Sequence, residues 1–299
     1  MTTIGDEGAT ASASPHEPSQ ERLPAAEGLE LAVAAWNAKT GSRQTPFVLL
    51  HGIASTAAAW DGVAGRLAAA GRTVYAVDFR GHGRSDRPHE GYDLATFASD
   101  LIAVVDGLGS ARPVLVGHSL GANVILAAVA RRPDLAAGVC LVEGGLVDAR
   151  DQFHGVGECL ARLALPPVSG MPLARLQGYL HQSHPDWSDL RLSAAIAAFD
   201  VHADGTVSWR LTEARYELLL RDLWEARAAD TWPAIRVPTL TIVADTGDEA
   251  WTAAKRAAEA EMRRAITGVR IEWLRADHEV HTDRPDQIAD LLLEAFAGL

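Results

Sequence analysis

The sequence predicts an α/β fold, with a mostly parallel central sheet, flanking helices and an inserted helical cap. From Gly28 onward, short apolar runs of strand length alternate with longer segments of helical period, the pattern of successive strand–helix–strand units. One stretch, 146–235, is too long for a single crossover and holds several helix-like segments of its own. The strands follow in order. GLELAVAAWNA (28–38) and TPFVLLHG (45–52), joined through Lys39-Thr40-Gly41-Ser42, read as an antiparallel pair leading into the sheet. TVYAVDFRG (73–81), PVLVGHS (113–119), AGVCLVEGG (137–145), PTLTIVAD (238–245) and VRIEWLRA (269–276) read as buried parallel strands, because each is a nearly continuous apolar run. Helical segments fall between them: Ala57 to Gly71, Leu94 to Gly109, the run after Ser119, Glu249 to Ile266, and Arg284 to Phe296. The domain reading is therefore a core built from 27–145 and 236–299, with a cap inserted at 146–235. Residues 1–26, polar and without hydrophobic period, read as a disordered tail.

Composition narrows the function classes. Acidic residues outnumber basic ones 39 to 27, a net charge of −12, which argues against a surface that neutralises nucleic-acid phosphates or anionic lipid. No run reaches the roughly 18 to 20 apolar residues of a membrane span, and the first residues lack a basic segment followed by an apolar one. The expectation is a cytoplasmic protein with a small-molecule substrate. The two cysteines, Cys140 and Cys159, lie in separate segments and read as buried thiols.

The chemistry concentrates at strand ends. Gly117-His118-Ser119-Leu120-Gly121 sits between the run PVLV and the helical run ANVILAAVARR. A serine on such a tight strand-to-helix turn is held with its hydroxyl exposed, flanked by residues small enough to let backbones approach. Serine is a weak nucleophile at neutral pH, so a base and an orienting acid must be found downstream. His278, in the loop after the last strand, is the expected base. His281 reads as a packing or capping residue, and a His-x-x-His metal site is set aside because no third ligand of matching spacing stands out. For the acid, Asp248 at the tip of the loop Asp245-Thr246-Gly247-Asp248 is the assignment, with Asp245 and Glu143 as alternatives. His51-Gly52-Ile53-Ala54 follows the strand TPFVLL, and the main-chain N–H groups of Ile53 and Leu120 are the expected oxyanion donors. Asp78-Phe79-Arg80-Gly81-His82-Gly83-Arg84-Ser85 lacks the lysine and spacing of a phosphate loop and reads as structural.

Taken together, HGIA (51–54), DFRGHGRS (78–85), GHSLG (117–121), VPTLTIVADTGD (237–248) and DHEVHTDRP (277–285) resemble the α/β-hydrolase superfamily, in its lid-bearing esterase-like branch. The resemblance runs from Gly28 to the end of the chain. It implies an α/β-hydrolase fold and cleavage of a carboxylic ester or lactone through an acyl-enzyme, with neither cofactor nor metal. Two positions depart from the family pattern: Ala244 and Asp277 stand where relatives commonly have glycine. Serine at position 119 sets the chain apart from related dehalogenases and epoxide hydrolases, which carry aspartate there. The same triad also supports carbon–carbon bond hydrolysis, perhydrolysis or lyase steps, and a slow or non-catalytic ligand receptor is the rival of another class. Phe153, Tyr179 and the cap tryptophans Trp187, Trp209, Trp224 and Trp232 point to an apolar or ring-bearing substrate.

Overall fold

The computed structural model describes residues 18–37, 44–109 and 112–299. Eight strands form one sheet: β1 (Ser19–Pro24), β2 (Glu30–Trp36), β3 (Phe47–Leu50), β4 (Val74–Val77), β5 (Val114–His118), β6 (Gly138–Val142), β9 (Thr239–Asp245) and β10 (Arg270–Arg275). The spatial order is β1-β2-β4-β3-β5-β6-β9-β10. From β4 to β10 every pairing is parallel, whereas β1–β2 and β2–β4 are antiparallel.

The strand alternation sorts side chains onto two helical layers. On one face Val48, Leu50, Leu115, Val139 and Leu141 pack with α2 (Leu94–Gly107) and α3 (Leu120–Arg131). On the other, Phe47, Leu49, Val114, Val116, Cys140 and Val142 pack with α1 (Asp61–Ala69) and α12 (Pro285–Ala295). Each fully buried Val, Leu or Phe contributes about 1.5–3 kcal/mol. Both cysteines are buried and unpaired.

Two sequence expectations are corrected here. The run at 28–38 does not pair with the run at 45–52. β2 lies antiparallel between β1 and β4, while β3 inserts between β4 and β5. Sequence adjacency suggested a hairpin, but the apolar β3 is buried on both faces, which requires a central position flanked by two parallel neighbours. Second, Ser19–Pro24, read as part of the tail, forms the edge strand β1, with residues 1–17 outside the described residues. Its polar composition fits an edge: the main chain pairs with β2, and Arg22 bridges Glu30 and Asp86.

Between β6 and β9 run α4 (Ala149–Gln152), α5 (Val156–Arg162), α6 (Leu173–Ser183), α7 (Asp189–Ile196), the hairpin β7 (Phe199–Val201) and β8 (Val207–Trp209), α8 (Glu213–Glu225) and α9 (Ala228–Thr231). The hairpin was not read from the sequence. Its turn contains Asp204-Gly205, with Gly205 at φ 79°, a recognisable hairpin signal. Helices α10 (Glu249–Ala265) and α11 (Val280–Asp283) complete the fold.

Candidate active site

Ser119 sits on the turn between β5 and α3 with φ 51° and ψ −113°, a backbone conformation that L-residues seldom adopt. The flanking glycines make the turn sterically possible. A Cβ on Gly117 would stand 2.4 Å from the Gly121 backbone, and one on Gly121 would stand 2.4 Å from the Leu50 carbonyl oxygen. Being main chain, neither obstacle can move aside as a flexible side chain would. Leu120 opens α3, so its N–H has no acceptor inside the helix.

The His51–Ala54 loop is pinned from below by the Asp78–Ser85 loop. The Phe79 N–H donates to His51 Nε2 at 3.1 Å, so His51 Nδ1 carries the proton and donates to the Gly52 carbonyl at 2.7 Å. The Ala54 N–H donates to His82 Nε2 at 3.3 Å. Asp78 accepts from the main-chain N–H groups of Ala57 and Arg84, and Arg80 forms a buried two-pronged pair with Asp100. The structural reading of this loop agrees with these contacts.

A cavity of about 470 Å³ opens between the sheet edge and the segment that follows β6. Gly52, Ile53, Ser119, Glu143 and His278 line its floor, and Leu146, Leu163, Tyr216, Leu220 and Leu223 contribute its apolar wall. The expected Phe153, Tyr179 and cap tryptophans are absent from that lining. Tyr179 is exposed, Trp232 is buried with its indole N–H donating to the Gly145 carbonyl, and Trp209 donates to the Pro166 carbonyl. The tryptophan that does reach the cavity is Trp251, from α10.

Among the three candidate acids, the structure joins Glu143 to the histidine. His278 Nδ1 lies 3.3 Å from Glu143 Oε2. Asp248 instead caps α10, its side chain accepting from the Trp251 N–H at 2.8 Å. Asp245 accepts from the Gly247 N–H and pairs with Arg275. The reason is local: the loop after β9 turns directly into α10, and the residue before a helix satisfies free N–H groups best with its own carboxylate. Glu143, by contrast, ends β6 next to the serine-bearing strand, with φ 47°.

Glu143 is only 4% exposed and fully engaged. It accepts from the Ala244 N–H at 2.6 Å and from Lys255 Nζ at 2.8 and 2.9 Å. Lys255, equally buried, donates its remaining proton to the Ala244 carbonyl at 2.8 Å. Burial pushes the Glu143 carboxyl upward, but its hydrogen bond to His278 and the Lys255 ammonium outweigh that and hold it below the usual range. For His278, the partial loss of water around the ring works to lower the pKa. The Glu143 hydrogen bond and the charges of Glu279 and Glu143 prevail, so the imidazole sits above its ordinary value. Its side chain remains 54% exposed, open to the cavity. Lys255 was not found from sequence. A lone Lys inside the small-residue run AWTAAKRAAEA was its only signal.

Among the described residues, no helix is long and apolar enough to cross a membrane.

Known proteins place these features in context. A 2-(acetamidomethylene)succinate hydrolase from Mesorhizobium japonicum is 38% identical over 96 residues, 32% of this chain and 34% of that protein. A monoacylglycerol lipase from Mycolicibacterium smegmatis is 34% identical over 155 residues, 50% of this chain and 54% of the lipase. The matched regions thus span about a third to a half of these curated relatives. Among solved structures, E-2-(acetamidomethylene)succinate hydrolase superposes with a TM-score of 0.78 at 23% identity, covering 94% of this chain and 99% of the other. The thioesterase domain from the curacin biosynthetic pathway gives 0.71 at 26%, covering 92% and 99%. Residues 47–291 match the family model described as the alpha/beta hydrolase family, more than half of the chain, and the chain belongs to that family.

Proposed function

We propose that this protein is a serine hydrolase that cleaves neutral, apolar carboxylic esters or lactones through an acyl-enzyme, with a Ser119–His278–Glu143 triad. The observation that carries the reading is the shared cavity floor: a serine on a strained strand-to-helix turn, and a half-exposed histidine bonded to a buried carboxylate. In the reaction, His278 Nε2 takes the Ser119 hydroxyl proton as Oγ attacks the ester carbonyl. The N–H groups of Ile53 and Leu120 hold the oxyanion. Collapse expels the alcohol, protonated by His278, and leaves the acyl group on Ser119. Water deprotonated by the same imidazole then adds to the acyl carbon and releases the acid. Glu143 fixes the imidazole tautomer with its proton on Nδ1 and stabilises the imidazolium.

The substrate class follows from the lining charges. Among the described residues, the cavity lining carries Glu143, Asp148 and Glu279, and its one Lys or Arg, Lys255, has all three ammonium protons committed to Glu143 and Ala244. A substrate carboxylate would meet no free cation there, so a dicarboxylate of the kind named for the Mesorhizobium relative is disfavoured. The test is hydrolysis of p-nitrophenyl butyrate and of the mono-p-nitrophenyl ester of succinic acid by the wild type and Ser119→Ala, with mass detection of a fluorophosphonate adduct. The reading expects turnover of the neutral ester and labelling at Ser119, both lost in the variant. Preference for the succinate ester refutes the charge argument. Equal inertness of both proteins refutes the mechanism.

A further inference from the structure

Three ligating side chains that the proposed hydrolysis does not use converge beside the cavity. His118, Glu279 and His281 each offer one ligand atom, and these atoms lie within 4.8 Å of one another. Glu279 Oε2 stands 4.0 Å from His118 Nδ1 and 4.0 Å from His281 Nε2. Both rings are about 1% exposed, with centroids 4.2 Å apart.

The tautomer of His118 is set by its far nitrogen. Nε2 lies 2.9 Å from the His278 carbonyl oxygen, which can only accept, so Nε2 bears the proton and Nδ1 a lone pair. Among the described residues, no protein group hydrogen-bonds that Nδ1 or either ring nitrogen of His281. Each such buried polar atom costs about 1–3 kcal/mol if left unsatisfied. Ring packing, His281 against Trp60 at 4.4 Å for example, offers these nitrogens nothing. The Nε2–H to carbonyl bond of His118 is also the support that a metal-bound histidine ordinarily has, because it fixes the ring and aims the other nitrogen.

We propose that His118 Nδ1, His281 Nε2 and the Glu279 carboxylate form a binding site for a divalent transition-metal ion of the Zn²⁺ type. Two imidazoles, one carboxylate and a fourth position open to water make up a ligand set that Zn²⁺ takes, and the nitrogen donors disfavour Mg²⁺ and Ca²⁺. Metal–ligand bonds of about 2.0–2.1 Å in a tetrahedron put ligand atoms about 3.3–3.4 Å apart, so the two 4.0 Å Glu279 separations must close by roughly 0.6 Å, and the two imidazole nitrogens, within 4.8 Å of each other, must draw together by up to about 1.4 Å. Glu279, whose side chain is 42% exposed, has room for its share of that movement and gives the ion a route from solvent, while the histidine share calls for small rotations of the two rings. The nearby cation, Arg191, is engaged by Asp283 and stacked on Trp187 at 4.0 Å. The site touches both halves of the proposed machinery, since His118 precedes Ser119 and Glu279 follows His278. An ion held there puts positive charge beside the His278 imidazole and slows ester turnover, a consequence that rests on the hydrolase reading; binding itself does not.

Equilibrium dialysis against Zn²⁺ with metal analysis tests the site, alongside the visible spectrum of the Co²⁺-loaded protein. The wild type is expected to hold one ion per chain and to show the bands of tetrahedral Co²⁺. His281→Gln and Glu279→Gln each weaken binding by more than about tenfold and abolish those bands. The half-exposed, isosteric Glu279→Gln keeps the test meaningful if the buried His281→Gln fails to fold. Ser119→Ala binds Zn²⁺ as the wild type does, which separates this site from the hydrolytic reading. No binding by the wild type, or binding unchanged in Glu279→Gln, overturns the proposal.

Discussion

Replacing Glu143 and Asp248 separately distinguishes the acid that the structure pairs with His278 from the one that the sequence favoured. In Glu143→Gln, the amide presents an N–H or a weakly accepting oxygen where His278 Nδ1 needs a carboxylate. In a serine protease the corresponding acid-to-amide change lowers kcat about 10⁴-fold, or about 5.5 kcal/mol of transition-state stabilisation. The same change leaves the Lys255 ammonium buried without its counter-charge, with the Ala244 carbonyl and at most the new amide oxygen to accept from it. Stranding one member of a buried pair costs about 3–5 kcal/mol, a large share of the 5–15 kcal/mol that holds a typical domain together. The double variant Glu143→Gln/Lys255→Met removes that stranded charge and is the better probe of catalysis. Asp248→Asn should do almost nothing, because asparagine caps a helix as well as aspartate does and the carboxylate touches only the Trp251 N–H. The assay is kcat/KM on p-nitrophenyl butyrate, with circular-dichroism melting of every variant. A loss of several orders of magnitude in Asp248→Asn, with the Glu143 double variant near wild type, would refute the assignment.

Three further outcomes are expected. Leu223→Trp fills part of the apolar wall and should raise KM for p-nitrophenyl octanoate by roughly tenfold or more while leaving the acetate ester little changed, measured by steady-state kinetics across chain lengths. Asp100→Ala leaves the fully buried Arg80 guanidinium with only the exposed Glu27 as a counter-charge among the described residues and should cost about 3 kcal/mol, lowering the melting temperature by on the order of 10 °C. Asp61, in the first turn of α1, has its pKa pushed up to about 6, chiefly by burial and then by Asp78. A carboxyl whose folded pKa is raised gives the native state a relative advantage at low pH that is lost as pH climbs from about 4 to about 6. Asp61→Asn should therefore stabilise the protein by about 1–2 kcal/mol at pH 8 and by nothing near pH 4, checked by urea melts at both values.

What the sequence revealed and concealed follows from the range of the interactions involved. The parallel strands and their helices were legible because apolar period is local, and VLVGHSLGANVIL carries strand, turn and helix within a few residues. The position of β3 was not, because LL at 49–50 says that the strand is buried without saying between which neighbours. β1 was missed because an edge strand needs no apolar face, and Arg22 reaches its partner Asp86 across 64 residues. The carboxylate that pairs with His278 was not the one the sequence favoured, for a related reason. The loop at 245–248 looks like an acid loop by spacing, and Glu143 lies 135 residues from its histidine. A signal was nevertheless present: a charged residue closing the apolar strand GVCLV demands a buried partner, and Lys255 inside an alanine-rich helix is the complementary anomaly. The His278-x-x-His281 pair was set aside as a metal site for want of a third group, and the three side chains that do converge, His118, Glu279 and His281, could not be seen together because His118 lies at the end of β5, far away in sequence.

The backbone itself supplies an independent argument for where function resides. Five non-glycine residues among those described have positive φ: Glu27, Asn37, Ala54, Ser119 and Glu143. Three of them cluster at the carboxyl edge of the sheet, where Ala54 follows Ile53 and Ser119 and Glu143 close the adjacent strands β5 and β6. Each such residue costs on the order of 1–3 kcal/mol, and a glycine would remove the cost. At 119 and 143 glycine would also remove the side chain that the proposed reaction needs, and the surrounding structure holds both in place: the Ser119 N–H donates to the Val142 carbonyl and the Glu143 N–H to the Ile242 carbonyl. The Glu143 carboxylate is held by His278, the Lys255 ammonium and the Ala244 N–H. The two positions are coupled, because hydrogen bonds between the neighbouring strands β5 and β6 fix the spacing between Ser119 and Glu143, while the four-residue loop between β10 and α11 brings the His278 imidazole to Glu143.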